Sequence, residues 1–276
     1  MLIGAHLSIS KGLDFAVKDI AAKGGNCLQI FSTSPRSWSF KGFTQEQINS
    51  FIETKLEYSV SPVFFHASYL INLADNQETG KKSVRLLINE LNLASKMGIV
   101  GSVVHLGSFK NNDKDYDLLI ANIKQVLAET NPNTYFIIEN AGNRKIGKDL
   151  EEIALILEKL NSERVKVCLD SCHLFSAGID LTDFDQLSAY WQRFNDLIGK
   201  DKLILWHLND SKDPLGSLRD RHENLTKGSI GKKGFMNILS INEFRQLPMI
   251  IETPGFDNKG PDKKNLDILK SLSDQI

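Results

Sequence analysis

The sequence predicts an α/β fold, a closed parallel (β/α)8 barrel (TIM barrel) spanning residues 1–276 as one domain. Three observations point there. Apolar runs of strand length alternate with longer stretches of helical period along the whole chain, the alternation repeats eight times, and most connections are short. Right-handed crossovers leave few other topologies for eight βα repeats. With 276 residues, 41% of them hydrophobic, the chain can bury a sizeable core, and α/β barrels of this size are routinely one domain.

The strand-like runs are LIGAHL (2–7), CLQIF (27–31), VFFHA (63–67), SVVHLG (102–107), YFIIEN (135–140), VKVCLD (165–170), LILWHLN (203–209) and MIIET (249–253). They are nearly continuous in β-branched, aliphatic and aromatic residues, as strands buried on both faces should be. Between them lie amphipathic stretches such as Gly80 to Met97 and Asp113 to Glu129. In the first, Val84, Leu87, Ile88, Leu91 and Ala94 recur at three or four residues and mark an inward helix face. Boundary signals agree: Gly24 and Gly98 follow helical runs, Thr44 with Gln47 makes a capping box, and Pro132 closes the segment before the fifth strand. The connection after the seventh strand is the exception. It runs from about 210 to 234 with five glycine or proline residues, and a loop of that length is usually functional or disordered.

Composition narrows the function. The formal net charge of -1 argues against a blanket nucleic-acid coat but leaves room for a local basic patch. No run of ~18 apolar residues suggests a membrane span, and the start MLIGAHLS lacks a basic n-region and a cleavage site, so a cytoplasmic location is expected. Cys27, Cys168 and Cys172 are odd in number, lack zinc-finger spacing and lie in or beside apolar runs, which reads as buried free thiols.

The chemistry concentrates at the strand ends. Five of the six histidines, His66, His105, His173, His207 and His222, occur where apolar runs stop or in the loops just beyond, alongside Glu139, Asp170, Asp220 and Glu252. In a (β/α)8 barrel the C-terminal strand ends converge on one mouth. His66, His105, Glu139, Asp170, His207 and Glu252 end strands three to eight in order, flanked by apolar residues. An unpaired carboxylate there would cost several kcal/mol, and no Arg or Lys in these strand ends neutralises the three acids, whereas divalent metals would. Imidazole mixed with carboxylate suits zinc, manganese or iron better than magnesium, and five His with four acids can serve two or three ions. Asp170 and His173 are three residues apart and can face different ions. Asp220 and His222, one residue apart, point the same way on extended backbone.

Each residue alone has a blander reading. A lone strand-end His is more often a satisfied polar residue than a ligand, and Asp170 or Glu252 could cap a turn or helix. Jointly these readings fail, because six consecutive strand ends would carry acids or histidines by accident. His6 also ends a strand, either supporting a ligand or as a plain core polar residue. Other motifs fare worse. GSIGKKG (228–234) lacks P-loop spacing, no serine sits in a nucleophile elbow, and AAKGG (21–25) is a helix stop.

The chain resembles the endonuclease IV family of metal-dependent apurinic/apyrimidinic endonucleases over essentially its whole length. The likeness is carried by GAHLS (4–8), HASYLINL (66–73), IIENAG (137–142), LDSCHLFSAGIDL (169–181), HLNDSKDPLGSLRDRHENLTKGSIG (207–231) and IIETP (250–254). The resemblance implies a three-zinc cluster, with manganese a candidate at one or more sites. His66 and His105 would hold one ion, Asp170, His207 and Glu252 a second, with Glu139 bridging the two, and His173, Asp220 and His222 a third. It implies a phosphoric diester hydrolase that cuts 5′ to abasic sites in double-stranded DNA, leaves a 3′ hydroxyl and a 5′ deoxyribose phosphate, and also cleans 3′ ends. Glu139 and Glu252 would be its catalytic carboxylates. Metal binding lowers the pKa of water to roughly 7, which suits in-line displacement at phosphorus. Arg36 in SPRSWSF and Tyr69 match the family's inserting pair. A wedge costs least where a base is already missing; the blander alternatives are a loop tyrosine and an arginine packed on Trp38. Lys11, Lys41, Lys110, Lys212 and Lys232 lie near mouth loops and are candidate phosphate contacts or plain surface lysines. The chain departs from the family after Glu139, reading NAGNRKIGKDL where a glycine-rich AGQG stretch is usual.

Two other classes compete. A sugar epimerase or isomerase of the same barrel type needs one ion on Glu139, Asp170, His207 and Glu252, and would leave the other five residues without work. A non-catalytic binder of damaged DNA would not need an intact ligand set. No heptad or large apolar patch suggests a protein partner, so a monomer is expected.

Overall fold

The computed structural model describes residues 1–110 and 114–276. Along the chain, β1 (Ile3–Leu7), α1 (Leu13–Ala22), β2 (Cys27–Phe31), α2 (Gln45–Glu57), β3 (Val63–His66), α3 (Glu78–Met97), β4 (Gly101–Val104) and α4 (Tyr116–Ala128) form the first half. The second half has β5 (Tyr135–Glu139), α5 (Leu150–Leu160), β6 (Val165–Asp170), α6 (Ser171–Ala177), α7 (Phe184–Leu197) and β7 (Leu203–His207). A short ribbon follows, β8 (Asp210–Ser211) with β9 (His222–Glu223), then α8 (Gly231–Ser240), α9 (Asn242–Arg245), β10 (Met249–Ile251) and α10 (Lys263–Ser273). Eight strands close a parallel barrel in the order β1-β10-β7-β6-β5-β4-β3-β2, as the sequence predicts.

The expected boundary signals are present. Thr44 and Gln47 cap α2 reciprocally, and Gly98 ends α3 in the left-handed region at φ 61°. Helix α4 begins at Tyr116, with the Asp115 side chain accepting from the Leu118 N–H; Asp113, where the sequence reading opened this helix, lies outside the described residues. The expectation of eight helices needs correction, since the described residues form ten. Helix α6 follows β6 without a loop because the Asp170 carboxylate accepts the His173 N–H at 2.9 Å and caps the new helix. Helix α9 is one extra turn after α8.

Strand parity divides the core. Outward residues such as Phe65, Val104, Ile138, Leu169, Trp206 and Ile251 pack under the helices. Inward residues Cys27, Phe64, Val103, Ile137, Cys168, Leu205 and Ile250 form an apolar plug inside the barrel. Side chains alternate along a strand, so the next inward position on each lies two residues on, toward the C-terminal mouth. Those positions are Gln29, His66, His105, Glu139, Asp170, His207 and Glu252. The barrel interior therefore changes from apolar to ionisable in one step of the pleat.

The connection after β7 is ordered from beneath rather than loose, and its last residues already belong to α8. Buried Asp210 accepts backbone N–H groups from Ser211 (2.8 Å), Gly228 (3.0 Å), Ile230 (3.0 Å) and Gly231 (3.3 Å). The glycine-rich GSIG stretch thus wraps a carboxylate of its own chain, an internal counterpart of a phosphate-binding nest. A Cβ at Gly228 would sit 2.3 Å from the Ser211 carbonyl oxygen, so only glycine fits. Replacing Asp210 with alanine strands several buried donors. We expect Asp210→Ala to lose about 2–4 kcal/mol of stability, read as a lower melting midpoint, with faster proteolysis between 212 and 230 if the loop loosens.

Candidate metal centre

All nine ligand-competent residues singled out in the sequence meet at the barrel mouth. Six are the inward strand-end residues, and three are brought by the structure beyond β6 and β7: His173 from the first turn of α6, Asp220 from the rim of the long loop, and His222 from β9. Around the opening, His66, His105, His173, Asp220, His222, Glu252 and Tyr69 line a cavity of about 310 Å³.

Glu139 is the hub. Its Oε2 lies 3.3 Å from His66 Nε2 and 3.2 Å from His105 Nε2, while Oε1 lies 2.8 Å from His207 Nδ1. That same Nδ1 is 3.6 Å from Glu252 Oε2 and 4.0 Å from Asp170 Oδ2. On the other side, Asp220 Oδ1 is 3.1 Å from His173 Nε2 and 3.3 Å from His222 Nε2. The donor atoms fall into sets that could each hold an ion: His66, His105 and Glu139; Glu139, Asp170, His207 and Glu252; and His173, Asp220 and His222. A further set, Asp170, Cys172 and His222, overlaps these; the sequence reading did not anticipate it.

The donor atoms fit metal better than they fit each other. Glu139 Oε2 and His222 Nε2 are buried with no hydrogen-bond partner, although other ring or carboxylate atoms approach to 3.2–3.3 Å. Two ligands each about 2.0–2.1 Å from one tetrahedral ion lie roughly 3.3 Å apart, which is that separation. Three outer ring nitrogens are engaged by main-chain carbonyls, while His105 Nδ1 is buried without a partner. His66 Nδ1 donates to the Ala67 carbonyl (2.8 Å), His173 Nδ1 to the Asn140 carbonyl (2.9 Å) and His222 Nδ1 to the Glu252 carbonyl (3.3 Å). A neutral imidazole that donates from one nitrogen presents a lone pair on the other, here aimed at the carboxylates.

Asp170 answers both readings the sequence allowed. One oxygen caps α6, while Oδ2 faces the cluster and accepts from Asn209 Nδ2 at 2.6 Å. His6 is not a plain core residue either, since its Nδ1 lies 2.9 Å from Glu252 Oε1. Sequence reasoning missed Gln29, Asn140 and Asn209, all buried. Asn140 Oδ1 accepts the Asp170 N–H (2.6 Å), and Asn209 Oδ1 accepts the Glu252 N–H (2.7 Å). Their signal was a polar residue at an inward or strand-end position, passed over because an amide is a poor metal ligand.

Arg36 is exposed, and none of the ion pairs or cation–π contacts among the described residues involves it. Tyr69 is 57% exposed at the cavity edge, its ring against Phe31 and His66. The two loops are joined: the Pro35 carbonyl accepts the Tyr69 N–H at 3.1 Å and the Ser68 hydroxyl at 2.8 Å. Lys11 and Lys41 border an adjoining groove of about 960 Å³, and Lys212 is exposed. Lys110 pairs with Asp75, and Lys232 with Gln275. The divergent segment 143–148 is pinned, with Ile146 N–H on the Gly107 carbonyl and Gly147 N–H on Glu152, and it presents Arg144 and Lys145 beside Arg219. Cys27, Cys168 and Cys172 are buried and free, as expected. No described helix is long and apolar enough to cross a membrane.

A family model described as a xylose isomerase-like TIM barrel matches residues 17–272. The chain is thus a barrel of the xylose isomerase-like class, whose fold also occurs in a 3-keto-D-glucoside 4-epimerase from E. coli (15% identity, TM-score 0.71, covering 98% of this chain and 99% of that one). Closer likenesses narrow the class. A probable endonuclease 4 of Sulfurihydrogenibium is 36% identical, with 98% of each chain covered, and endonuclease IV from Thermus thermophilus superposes with a TM-score of 0.88 at 30% identity over 100% of both chains. The chain belongs to the endonuclease IV family, and its enzyme class is that of a nuclease, a hydrolase.

The ionisation pattern yields a test. Burial alone would lower His173 and His222, but the Asp170 and Asp220 carboxylates outweigh it and bring them up to about 10 and about 9. Burial lowers His105 to about 4, with Glu139 offsetting part of the effect. In metal-free protein, protonated His173 and His222 stabilise the fold in full below the unfolded value near 6.5, and that contribution disappears as pH rises through about 9–10. The melting midpoint of chelator-treated protein should therefore fall progressively between pH 7 and 10. Zinc-loaded protein, whose ligand nitrogens are already deprotonated, should fall less; identical pH profiles would contradict the assignment.

Proposed function

We propose that the protein is a DNA-repair endonuclease that hydrolyses the phosphodiester 5′ to abasic sites in double-stranded DNA, leaving a 3′ hydroxyl and a 5′ deoxyribose phosphate. Three divalent ions would be held, zinc in the first place with manganese an alternative at one or more sites. His66 and His105 would hold one, Asp170, His207 and Glu252 the second, His173, Asp220 and His222 the third, and Glu139 would join the first two. The observation that carries this reading is Glu139, which turns one oxygen to His66 and His105 and the other to His207. A one-ion epimerase would take Glu139 as one of four ligands and has no use for His66 and His105 on its other oxygen, nor for His173, Asp220 and His222.

Ions bound there bring the pKa of water down to roughly 7 and offset phosphate charge during in-line displacement. The side chains do the remainder. Glu139 and Glu252 are the catalytic carboxylates: ionised Glu139 fixes the spacing of the two sets, and Glu252 orients the attacking water. The water oxygen bonds to phosphorus as the bond to the 3′ oxygen breaks, and that oxygen leaves protonated as the 3′ hydroxyl. The same bond cleavage at a blocked 3′ terminus gives end-cleaning. Arg36 and Tyr69 enter the gap left by the missing base, where unstacking costs least, so the lesion is selected without base readout. Lys11 and Lys41, along the adjoining groove, suit phosphate contacts. The enzyme would act as a cytoplasmic monomer.

Purified protein should incise a labelled abasic duplex with zinc or manganese and lose that activity to a chelator; no incision under either metal rejects the proposal. Elemental analysis should find nearly three ions per chain, whereas one ion would favour an epimerase. Arg36→Ala and Tyr69→Ala should each weaken binding of abasic duplex by ~10-fold or more, about 1.4 kcal/mol, with metal content unchanged. Equal affinity would leave the inserting role without support.

A further inference from the structure

Four of the five histidines in the cluster have a partner on the ring nitrogen that faces away from it. For three, the partner is a main-chain carbonyl that no substitution can remove. The fourth, His207, depends on a side chain: its Nε2 lies 2.9 Å from Gln29 Oε1. We infer that Gln29 is a positioning residue of the metal centre, holding the His207 ring with Nδ1 toward Glu139, Asp170 and Glu252 while occupying the Glu252 oxygen that an ion does not need. This rests on the proposed ligand set.

The amide can face only one way. Its oxygen accepts and its nitrogen donates. With Oε1 on His207 Nε2, the Gln29 Nε2 lies 2.8 Å from Glu252 Oε1 and donates to it. Flipped, the amide would set its oxygen against that carboxylate. His6 Nδ1 lies 2.9 Å from the same Oε1 and 3.0 Å from Gln29 Nε2, so Oε1 is engaged on this side and Oε2 is left facing His207 Nδ1 at 3.6 Å. An acceptor on Nε2 requires the proton there, which puts the neutral ring's lone pair on Nδ1, 2.8 Å from Glu139 Oε1. His207 therefore carries its proton on the opposite nitrogen from His66, His173 and His222, because its neighbour across the barrel is a glutamine on β2 rather than a carbonyl. Gln29 is fully buried on the inward face, two residues beyond Cys27 of the apolar plug. Partners of this kind are typically worth 10- to 100-fold in metal affinity.

The test uses the full chain, zinc and two readouts. Long-range 15N–1H spectra of 15N-histidine protein loaded with zinc should show one metal-bound ring protonated at Nε2 among rings protonated at Nδ1. If every zinc-bound ring is protonated at Nδ1, the inference is overturned, with no variant needed. Gln29→Leu keeps the volume and removes the amide. In competition with a chromophoric chelator it should lose about 10- to 100-fold in affinity for one ion, leave the others in place and remove the Nε2-protonated resonance. Unchanged affinity for every ion with a wild-type spectrum overturns the inference. Wild-type protein that binds no zinc overturns the ligand set itself, a failure told apart because no zinc-bound ring is then present to report a tautomer.

Discussion

Carboxylates and imidazoles crowded into a dry barrel mouth are the constraint on which the rest of this structure depends. Burial works against every charge there, and no lysine or arginine in the strand ends relieves it. Relief comes from arrangement: each acid faces a ring nitrogen, and most outer ring nitrogens face an oxygen. Glu139, fully enclosed, is held well below the usual carboxylate range, because His105 and His207 outweigh the effect of burial. Asp170 goes the other way, raised by burial beyond what its histidines recover. Carboxyls and imidazoles must shed any proton they hold before they bind a divalent cation, so cation uptake at such a site is linked to pH.

The fold provides that arrangement by strand parity. Seven strands carry an apolar inward residue and then, two positions on, a polar or ionisable one. The lower layer excludes water and fixes the strands; the upper layer inherits their spacing. Because the ligand-bearing atoms rest on hydrogen-bonded strands rather than on loops, their separations are set by the barrel, and only His173, Asp220 and His222 depend on later elements. Those three lean on Asp170 as the cap of α6 and on the loop that Asp210 gathers.

Much of this was legible in the sequence. Eight strand-length runs and the acids or histidines that end six of them predicted both the barrel and the gathering of those side chains at its mouth, since both follow from periodicity. What periodicity does not encode is which partner a polar residue meets across the barrel. Gln29, Asn140 and Asn209 stood inside the quoted strand runs, yet their bonds go to residues 30 to 223 positions away. Helix α6 was hidden because its cap, Asp170, is also a strand end. The β8–β9 ribbon was hidden because two residues per strand are too few to show alternation. GSIG lacks P-loop spacing, and the carboxylate it encloses belongs to Asp210, 18 to 21 residues earlier.

The bond between the two mouth loops has a further meaning. Both contacts that tie Ser68 and Tyr69 to the loop of Arg36 end on the carbonyl oxygen of residue 35. Any amino acid at that position would present the same atom. The relative placement of the proposed lesion-sensing pair thus rests on a main-chain oxygen of residue 35, met by the Tyr69 N–H and the Ser68 hydroxyl, and does not depend on the side chain of residue 35. Sequence drift in this loop can proceed while the geometry stays fixed, so a comparison of sequences would register variability at a joint that is mechanically constant.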